Sequence, residues 1–195
     1  MCSERINMIS QAIINMRTDD VFAEEWLCRP ATQTISDYFN VNDPFSLWQR
    51  EKKCLEKGIA ENSKRSKMLN LTVSSLPYFL VSDLHWEGGL EIVEWGPALN
   101  FSEPTLQSLI TCVQEKGIEV WVDDLSPHTW GALWRNISVN GYKVVAADVL
   151  SNTTFLKELT EQNRPLIVEH VDSLEMREKL LEKGLVYGQG YYFDY

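Results

Sequence analysis

The run Ile118-Glu119-Val120-Trp121-Val122-Asp123-Asp124 ends in two adjacent carboxylates. Like charges side by side need a cation, a proton or open solvent nearby. Alone, such a pair is more often a solvated loop than a site. Other short apolar runs in the chain also carry polar groups. Residues 21–27 carry Glu24 and Glu25, residues 68–73 hold Asn70, residues 90–95 hold Glu91 and Glu94, and residues 165–171 end in Glu169. Lys143 lies inside another apolar run, where a lysine needs an ionic partner or must reach out to the rim. If Glu25, Asn70, Glu91, Asp123, Asp124 and Glu169 met at one mouth, they would form a hard-oxygen site of five carboxylates and an amide. Such a site suits Mg²⁺ or Mn²⁺ better than Zn²⁺. Two such ions can clamp a phosphodiester and activate a water. A lysine beside them can pair with a phosphate or with the attacking water.

The elements that would bring these residues together are strands and helices in alternation. Residues 9–16 and 21–27 read as extended segments joined by a turn at Thr18-Asp19-Asp20: a hairpin, or the first two passes of a barrel. Asp43-Pro44 is an N-cap followed by proline at the first helical position, so a helix is expected over 44–60. Lys64-Arg65-Ser66-Lys67 reads as a solvated loop, and residues 74–89 read as irregular. From residue 90 onward the order is strand, helix, strand, four times over, with a closing extended segment in 185–195. The helices start at Ser102, after Ser126, near Ser151 and at Asp172 or Ser173; Gly117 and Gly184 act as stops. The strand after Gly141 is expected to run from 142 to 149. Short aliphatic strands alternating with helices call for a parallel sheet buried on both faces. With the three earlier candidates the strands approach eight, which favours an α/β fold of the TIM-like (β/α) barrel type, trimmed or incomplete at this length. No glycine-rich phosphate loop follows any strand, which argues against a P-loop or dinucleotide-binding fold.

The 195 residues are expected to form a single domain over 1–195. An apolar content of 44% excludes a disordered chain. A net charge of −10 argues against broad binding to nucleic acid, which relies on clustered Lys and Arg. No apolar run is long enough for a membrane span, and no signal peptide is visible, so no membrane contact is expected. Cys2, Cys28, Cys54 and Cys112 show no disulfide-dense pattern, so reduced thiols and a cytoplasmic location are expected. His85, His128 and His170 read as loop or surface groups.

Taken in order, these residues resemble the EAL domain family, the cyclic di-GMP phosphodiesterases, over nearly the whole chain. Glu25-Trp26-Leu27 stands where the family has Glu-Ala-Leu, with Arg29 following, and Ser10-Gln11-Ala12-Ile13 resembles the upstream Gln-Pro-Ile. Leu69-Asn70-Leu71-Thr72 is similar to the Asn-Leu-Ser strand, and Leu90-Glu91-Ile92-Val93-Glu94 to the Glu-x-x-Glu strand. Asp123-Asp124 matches the Asp pair, Tyr142-Lys143-Val144 the strand with the catalytic Lys, and Val168-Glu169-His170-Val171-Asp172 the Glu-Gly-Val-Glu segment. Gly188-Gln189-Gly190-Tyr191 resembles the closing Gln-Gly-Tyr. The resemblance implies a barrel with two Mg²⁺ or Mn²⁺ ions that opens one phosphodiester of cyclic di-GMP to give linear pGpG. It implies Glu25, Asn70, Glu91 and Asp123 on one metal, and Asp123 with Asp124 on the second. Lys143 would orient water or phosphate, and Glu169 would help activate the water. Gln189 would support the site, and Leu27 and Arg29 would touch the ligand.

The chain also departs from that pattern. Trp26 replaces a small residue and is expected to crowd the guanine pocket. Leu125-Ser126-Pro127-His128 replaces Phe-Gly-Thr-Gly, the loop that in the family couples homodimer formation to the metal site. Asp172 is one methylene shorter than the family's Glu, and Val145 stands where an Asp follows the Lys. The segments on either side of Asn70 are short. Two readings follow: a metal-dependent phosphodiesterase, or a non-catalytic EAL-like regulator that binds a protein partner, with or without the nucleotide.

Overall fold

A computed structural model describes residues 5–93 and 100–193. Eight strands close into a barrel in sequence order. They are β1 (Ile6–Asn15), β2 (Val21–Pro30), β3 (Ser66–Thr72), β4 (Gly88–Val93), β5 (Glu119–Leu125), β6 (Gly141–Val145), β7 (Leu166–Glu169) and β8 (Tyr187–Gly188). β1 runs antiparallel to both of its neighbours, β2 and β8. The other neighbouring pairs are parallel. The hairpin and the barrel passes expected for the first two strands are therefore one arrangement. The expected strand over 90–95 begins earlier, at Gly88, and its Glu94 lies outside the described residues.

Strand alternation sorts the side chains into two sets. Leu69, Leu71, Leu90, Ile92, Val120, Val122, Val144 and Val168 point outward into the main core beneath the helices. Ile13, Ala23, Met68, Trp121 and Ile167 point inward and fill the floor of the barrel. Trp121 sets the dimensions of this lower layer. A β-carbon on Gly141 would come within 2.3 Å of its ring, and one on Gly89 within 3.2 Å. Those two glycines supply the space that one large indole occupies, so the layer is full while two of its strands carry no side chain there.

The connecting helices are α1 (Ile35–Phe39), α2 (Pro44–Ala60), α3 (Leu76–Leu80), α4 (Glu103–Glu115), α5 (Pro127–Ala132), α6 (Ala146–Ser151), α7 (Thr153–Glu161) and α8 (Leu174–Glu182). α2 starts as its sequence requires: the Asp43 carboxylate accepts the Ser46 amide at 2.8 Å, and Pro44 takes the first position. Its carboxyl end is closed from a distance. The Lys67 ammonium donates to the carbonyls of Gly58 (3.0 Å), Ile59 (2.7 Å) and Glu61. The basic run 64–67 is thus not a solvated loop throughout: Ser66 and Lys67 begin β3, and Lys67 answers the negative end of α2. Two further expectations change. Residues 74–89 contain α3, which buries Leu76 and Phe79 three positions apart. The strand expected over 142–149 ends at Val145, and α6 follows, burying Ala146 and Val149 at helical spacing. Pairing with β7 ends at Val145 opposite Glu169, and the chain leaves the sheet there. Among the described residues, no helix is long and apolar enough to cross a membrane.

Candidate functional site

Directly above the Trp121 layer, the next inward positions are polar on strand after strand. Each lies two residues beyond a floor position: Ala23 leads to Glu25, Met68 to Asn70, Gly89 to Glu91, Trp121 to Asp123, Gly141 to Lys143 and Ile167 to Glu169. The apolar alternation thus carries a polar ring to the carboxyl ends of the strands.

The ring closes on Lys143. Its ammonium, fully buried, lies 2.9 Å from Glu25, 3.1 Å from Glu91, 3.1 Å from Asp123 and 3.0 Å from Glu169. It does not reach out to the rim. Around Glu25 two amides add further support: Asn70 Nδ2 donates to Oε1 at 2.9 Å, and Gln189 Nε2 donates to Oε2 at 2.7 Å. Gln189 also donates to Gln11 Oε1 at 2.9 Å. Gln11 is the direct cross-strand partner of Glu25, so the hairpin register brings it to the ring. The resemblance of Ser10-Gln11-Ala12-Ile13 to a family motif was the sequence signal for it.

Four carboxyls around one ammonium cannot all ionise without cost. Burial pushes Glu25 up, but the Lys143 charge and the amides of Asn70 and Gln189 outweigh it and hold the carboxyl at about 2. Burial wins at the other three. Glu91 and Asp123 are raised despite Lys143, with neighbouring carboxylates adding to the effect, and Glu169 is raised to about 7. Burial alone would lower Lys143, yet the surrounding acids keep it firmly protonated. Glu25 is therefore the carboxyl held most firmly ionised beside Lys143, while burial pushes the other three ion-paired acids toward taking up protons.

The ring opens into a mouth of about 560 Å³, walled by Ile9, Ser10, Gln11, Glu25, Leu27, Arg29, Asp124, Glu169, His170, Asp172, Gln189, Gly190 and Tyr191. Leu27 and Arg29 reach it from β2. Asp124 should alternate to the outer face after Asp123, but the register with β6 shifts between Val122 and Leu125, and Asp124 takes φ of 48°. This left-handed residue keeps Asp124 in the mouth, exposed and separate from the partners of Lys143. His170 does the same after Glu169, with φ of 58°. Two non-glycine residues in this conformation, each following a ring carboxylate, place backbone strain at the site. The mouth residues Asp172, His170 and Tyr191 were not marked as site residues by their sequence.

Trp26 alternates away from the ring and lines a separate cavity behind β2, which adjoins the mouth at Leu27 and Arg29. The segment after the Asp pair is not an open loop. Ser126 and Thr129 form a reciprocal capping box that starts α5. Trp130 locks that helix down, edge-on to Tyr142 with ring centroids 5.6 Å apart, its indole N–H donating to Glu158 at 2.8 Å.

The donor set suits a hard cation. Asn70 Oδ1, Glu91 Oε1 and Glu169 Oε2 are buried oxygens without a hydrogen-bond partner, and Asp123 Oδ1 has only its ion pair with Lys143. Buried acceptors of this kind call for positive charge. As arranged, however, the acids converge on the ammonium. Among the described residues, no three His, Cys, Asp or Glu side chains are grouped so as to hold a metal ion.

The barrel is similar to solved EAL-domain structures. The EAL domain of Mycobacterium smegmatis DcpA superposes with a TM-score of 0.76 at 19% identity, covering 98% of this chain and 92% of that one. A standalone EAL protein from Vibrio cholerae O395, in its c-di-GMP bound form, gives 0.73 at 16% identity, over 98% and 92% of the two chains. Klebsiella pneumoniae BlrP1, in a manganese/cy-diGMP complex, gives 0.74 at 16% identity. There 98% of this chain matches 56% of the other, so this chain spans little more than half of that protein. At these identities the likeness is one of fold. No protein-family model matches the sequence, and no curated protein does.

Proposed function

We propose that this chain is a degenerate EAL-like barrel that acts as a regulator by binding, without turning over a cyclic dinucleotide. The observation that carries this reading is the Lys143 ammonium at the point shared by Glu25, Glu91, Asp123 and Glu169. It supplies from within the chain the positive charge that a metal centre takes from bound ions. Moving it aside breaks buried ion pairs, a change that costs about 3–5 kcal/mol when one partner is lost. The mouth also disfavours a bare dinucleotide. Two phosphates would meet Glu25, Asp124, Glu169 and Asp172, with Arg29 the one side chain of fixed positive charge on the described lining. A protein partner meets no such repulsion, and exposed Ile9 and Tyr191 at the rim give it apolar surface to cover. The capped start of α5 supports the same reading, because it replaces the loop that the EAL resemblance ties to homodimers and to the metal site.

The orphaned oxygens favour a second reading, metal-dependent hydrolysis of cyclic di-GMP to pGpG. In it Glu25, Asn70, Glu91 and Asp123 hold one Mg²⁺ or Mn²⁺, and Asp123 with Asp124 a second. The ions would supply a polarised phosphate and an activated water when bound. Glu169, with its raised carboxyl, would accept a proton from the water. Lys143 would have to turn from the carboxylates toward water or phosphate, while Leu27, Arg29 and Gln189 hold the ligand.

Purified protein is incubated with cyclic di-GMP in Mg²⁺ and in Mn²⁺, beside Glu25→Ala, and binding is followed by calorimetry. The proposal expects no pGpG in either metal. Product that disappears in Glu25→Ala would overturn it in favour of the enzyme. Calorimetry then separates a nucleotide-binding regulator from one that binds protein alone.

A further inference from the structure

Behind the mouth, β2 and α2 enclose a cavity of about 360 Å³ lined mainly by apolar side chains, among them Met8, Trp26, Leu55 and Leu69. Two cysteines face into it. Cys28 lies on β2 and Cys54 on α2, and both pack in the small cluster built on Ile6 and Tyr38. The Cys54 thiol donates a hydrogen bond to the Cys28 sulfur. Two thiols that share one cluster and one cavity, on elements packed against one another, are placed for a disulfide between them. They are also unequal. The hydrogen bond from Cys54 draws Cys28 below the ordinary thiol value against the effect of burial, and the charges of Arg29 and Lys57 assist. The same hydrogen bond and burial push Cys54 up. A thiolate-prone sulfur beside a protonated one is the pairing of an attacking and a resolving cysteine. Nothing in the Lys143 site uses either group.

We propose that Cys28 and Cys54 are a peroxide-sensitive modification site that closes reversibly into a disulfide joining β2 to α2. The oxidant is hydrogen peroxide or an alkyl hydroperoxide small enough for the cavity. The Cys28 sulfur attacks one peroxide oxygen; an S–O bond forms, the O–O bond breaks, and the departing oxygen leaves as water or alcohol with the thiol proton. The Cys54 sulfur then attacks the Cys28 sulfur. The S–S bond forms, the S–O bond breaks, and hydroxide leaves as water with the proton of Cys54. Two thiols are oxidised and one peroxide is reduced. Cys28 stands between Leu27 and Arg29, which wall the mouth, so the crosslink tethers that wall to α2.

The test uses the full chain with Cys2→Ser and Cys112→Ser, which removes the exposed thiol of α4 and the N-terminal one. After peroxide and catalase quenching, intact mass is read without reductant. The expected result is a loss of two hydrogens, complete protection from alkylation, a Cys28–Cys54 linked peptide, and return of both thiols with dithiothreitol. With Cys54→Ser, Cys28 gains oxygen that a sulfenic-acid reagent traps. A gain of oxygen without a crosslink in the two-cysteine chain, or two unreacted thiols, overturns the proposal. If the serine variants do not fold, peptide mapping of the oxidised wild-type chain takes their place: a Cys28–Cys54 link supports the proposal, and links confined to Cys2 or Cys112 overturn it.

Discussion

Replacing Lys143 with methionine keeps a long flexible side chain in the barrel and removes its charge. Four carboxyls then face one another with no cation among them. Leaving a buried ionic partner uncompensated costs about 3–5 kcal/mol. Glu25 gives a second gauge: Lys143, together with the Asn70 and Gln189 amides, holds its carboxyl at about 2 against an ordinary 4.5, and at about 1.4 kcal/mol per unit that is about 3 kcal/mol for the three partners together. A depressed carboxyl contributes stability that is fully present above its unfolded value and is lost as pH falls toward its folded value. The penalty of Lys143→Met is therefore largest at neutral and alkaline pH and shrinks on acidification, when the orphaned carboxyls take up protons. A chain of this size loses roughly 2–4 °C of melting temperature per kcal/mol. The variant is expected to melt roughly 10 °C below the wild type near pH 8, with the gap narrowing only below about pH 4.5 and closing toward about pH 2. Differential scanning calorimetry of both proteins across that range measures it. A variant that melts with the wild type at alkaline pH would refute the reasoning, because the ammonium would not then be holding the ring.

Mn²⁺ at millimolar concentration is expected to raise the melting temperature of Lys143→Met and to leave the wild type unchanged, since only the variant offers its ring oxygens to an ion; a shift of equal size in both would show that Lys143 does not compete for the site. Glu169 is raised to about 7, so the unfolded chain loses this proton first, and wild-type stability falls by about 3 kcal/mol as pH rises from about 4.5 to 7. Glu169→Gln is expected to flatten that fall in urea titrations, and an unchanged slope would remove Glu169 as its cause. Asp124→Gly relieves a left-handed backbone at φ of 48° and is expected to stabilise by about 1 kcal/mol, read from the urea midpoint, while a loss of stability would mean that the carboxylate has a structural partner. Gly141→Ala drives a methyl to 2.3 Å from Trp121 and costs about 1–3 kcal/mol; Trp121→Leu in the same chain should recover part of that cost, and strict additivity would place the clash elsewhere.

Much of the site is legible in the sequence because strand alternation is a local property. Once Ala23, Met68, Trp121 and Ile167 face the lumen, Glu25, Asn70, Asp123 and Glu169 must face it too, one step higher. Helix α2 is equally legible: Asp43, Pro44 and the apolar face of 44–60 act within a few residues of one another, and the helix spans Pro44–Ala60. What misleads is also local. Tyr142 to Val149 is apolar nearly throughout, and a continuous apolar run does not say where a strand stops and a helix begins. The break after Val145 falls where pairing with β7 ends, opposite Glu169, a partner far away in the sequence. Lys67 reads as one charge in a basic loop because the carbonyls it caps belong to a different element.

Sequence alone determined the alternating strands and helices, the inward polar residues and the helix caps, since each rests on neighbours a few positions away. Only the tertiary structure decided that the eight strands close, because closure depends on β1 pairing with both β2 and β8. Closure brings Lys143 within 3.1 Å of four acids drawn from four other strands. It also sets Gln11 against Gln189, Cys28 against Cys54, and Asp124 apart from Asp123 through one shift of register. Charge acts through space, so which carboxylates an ammonium neutralises is settled only when the strands that bear them meet.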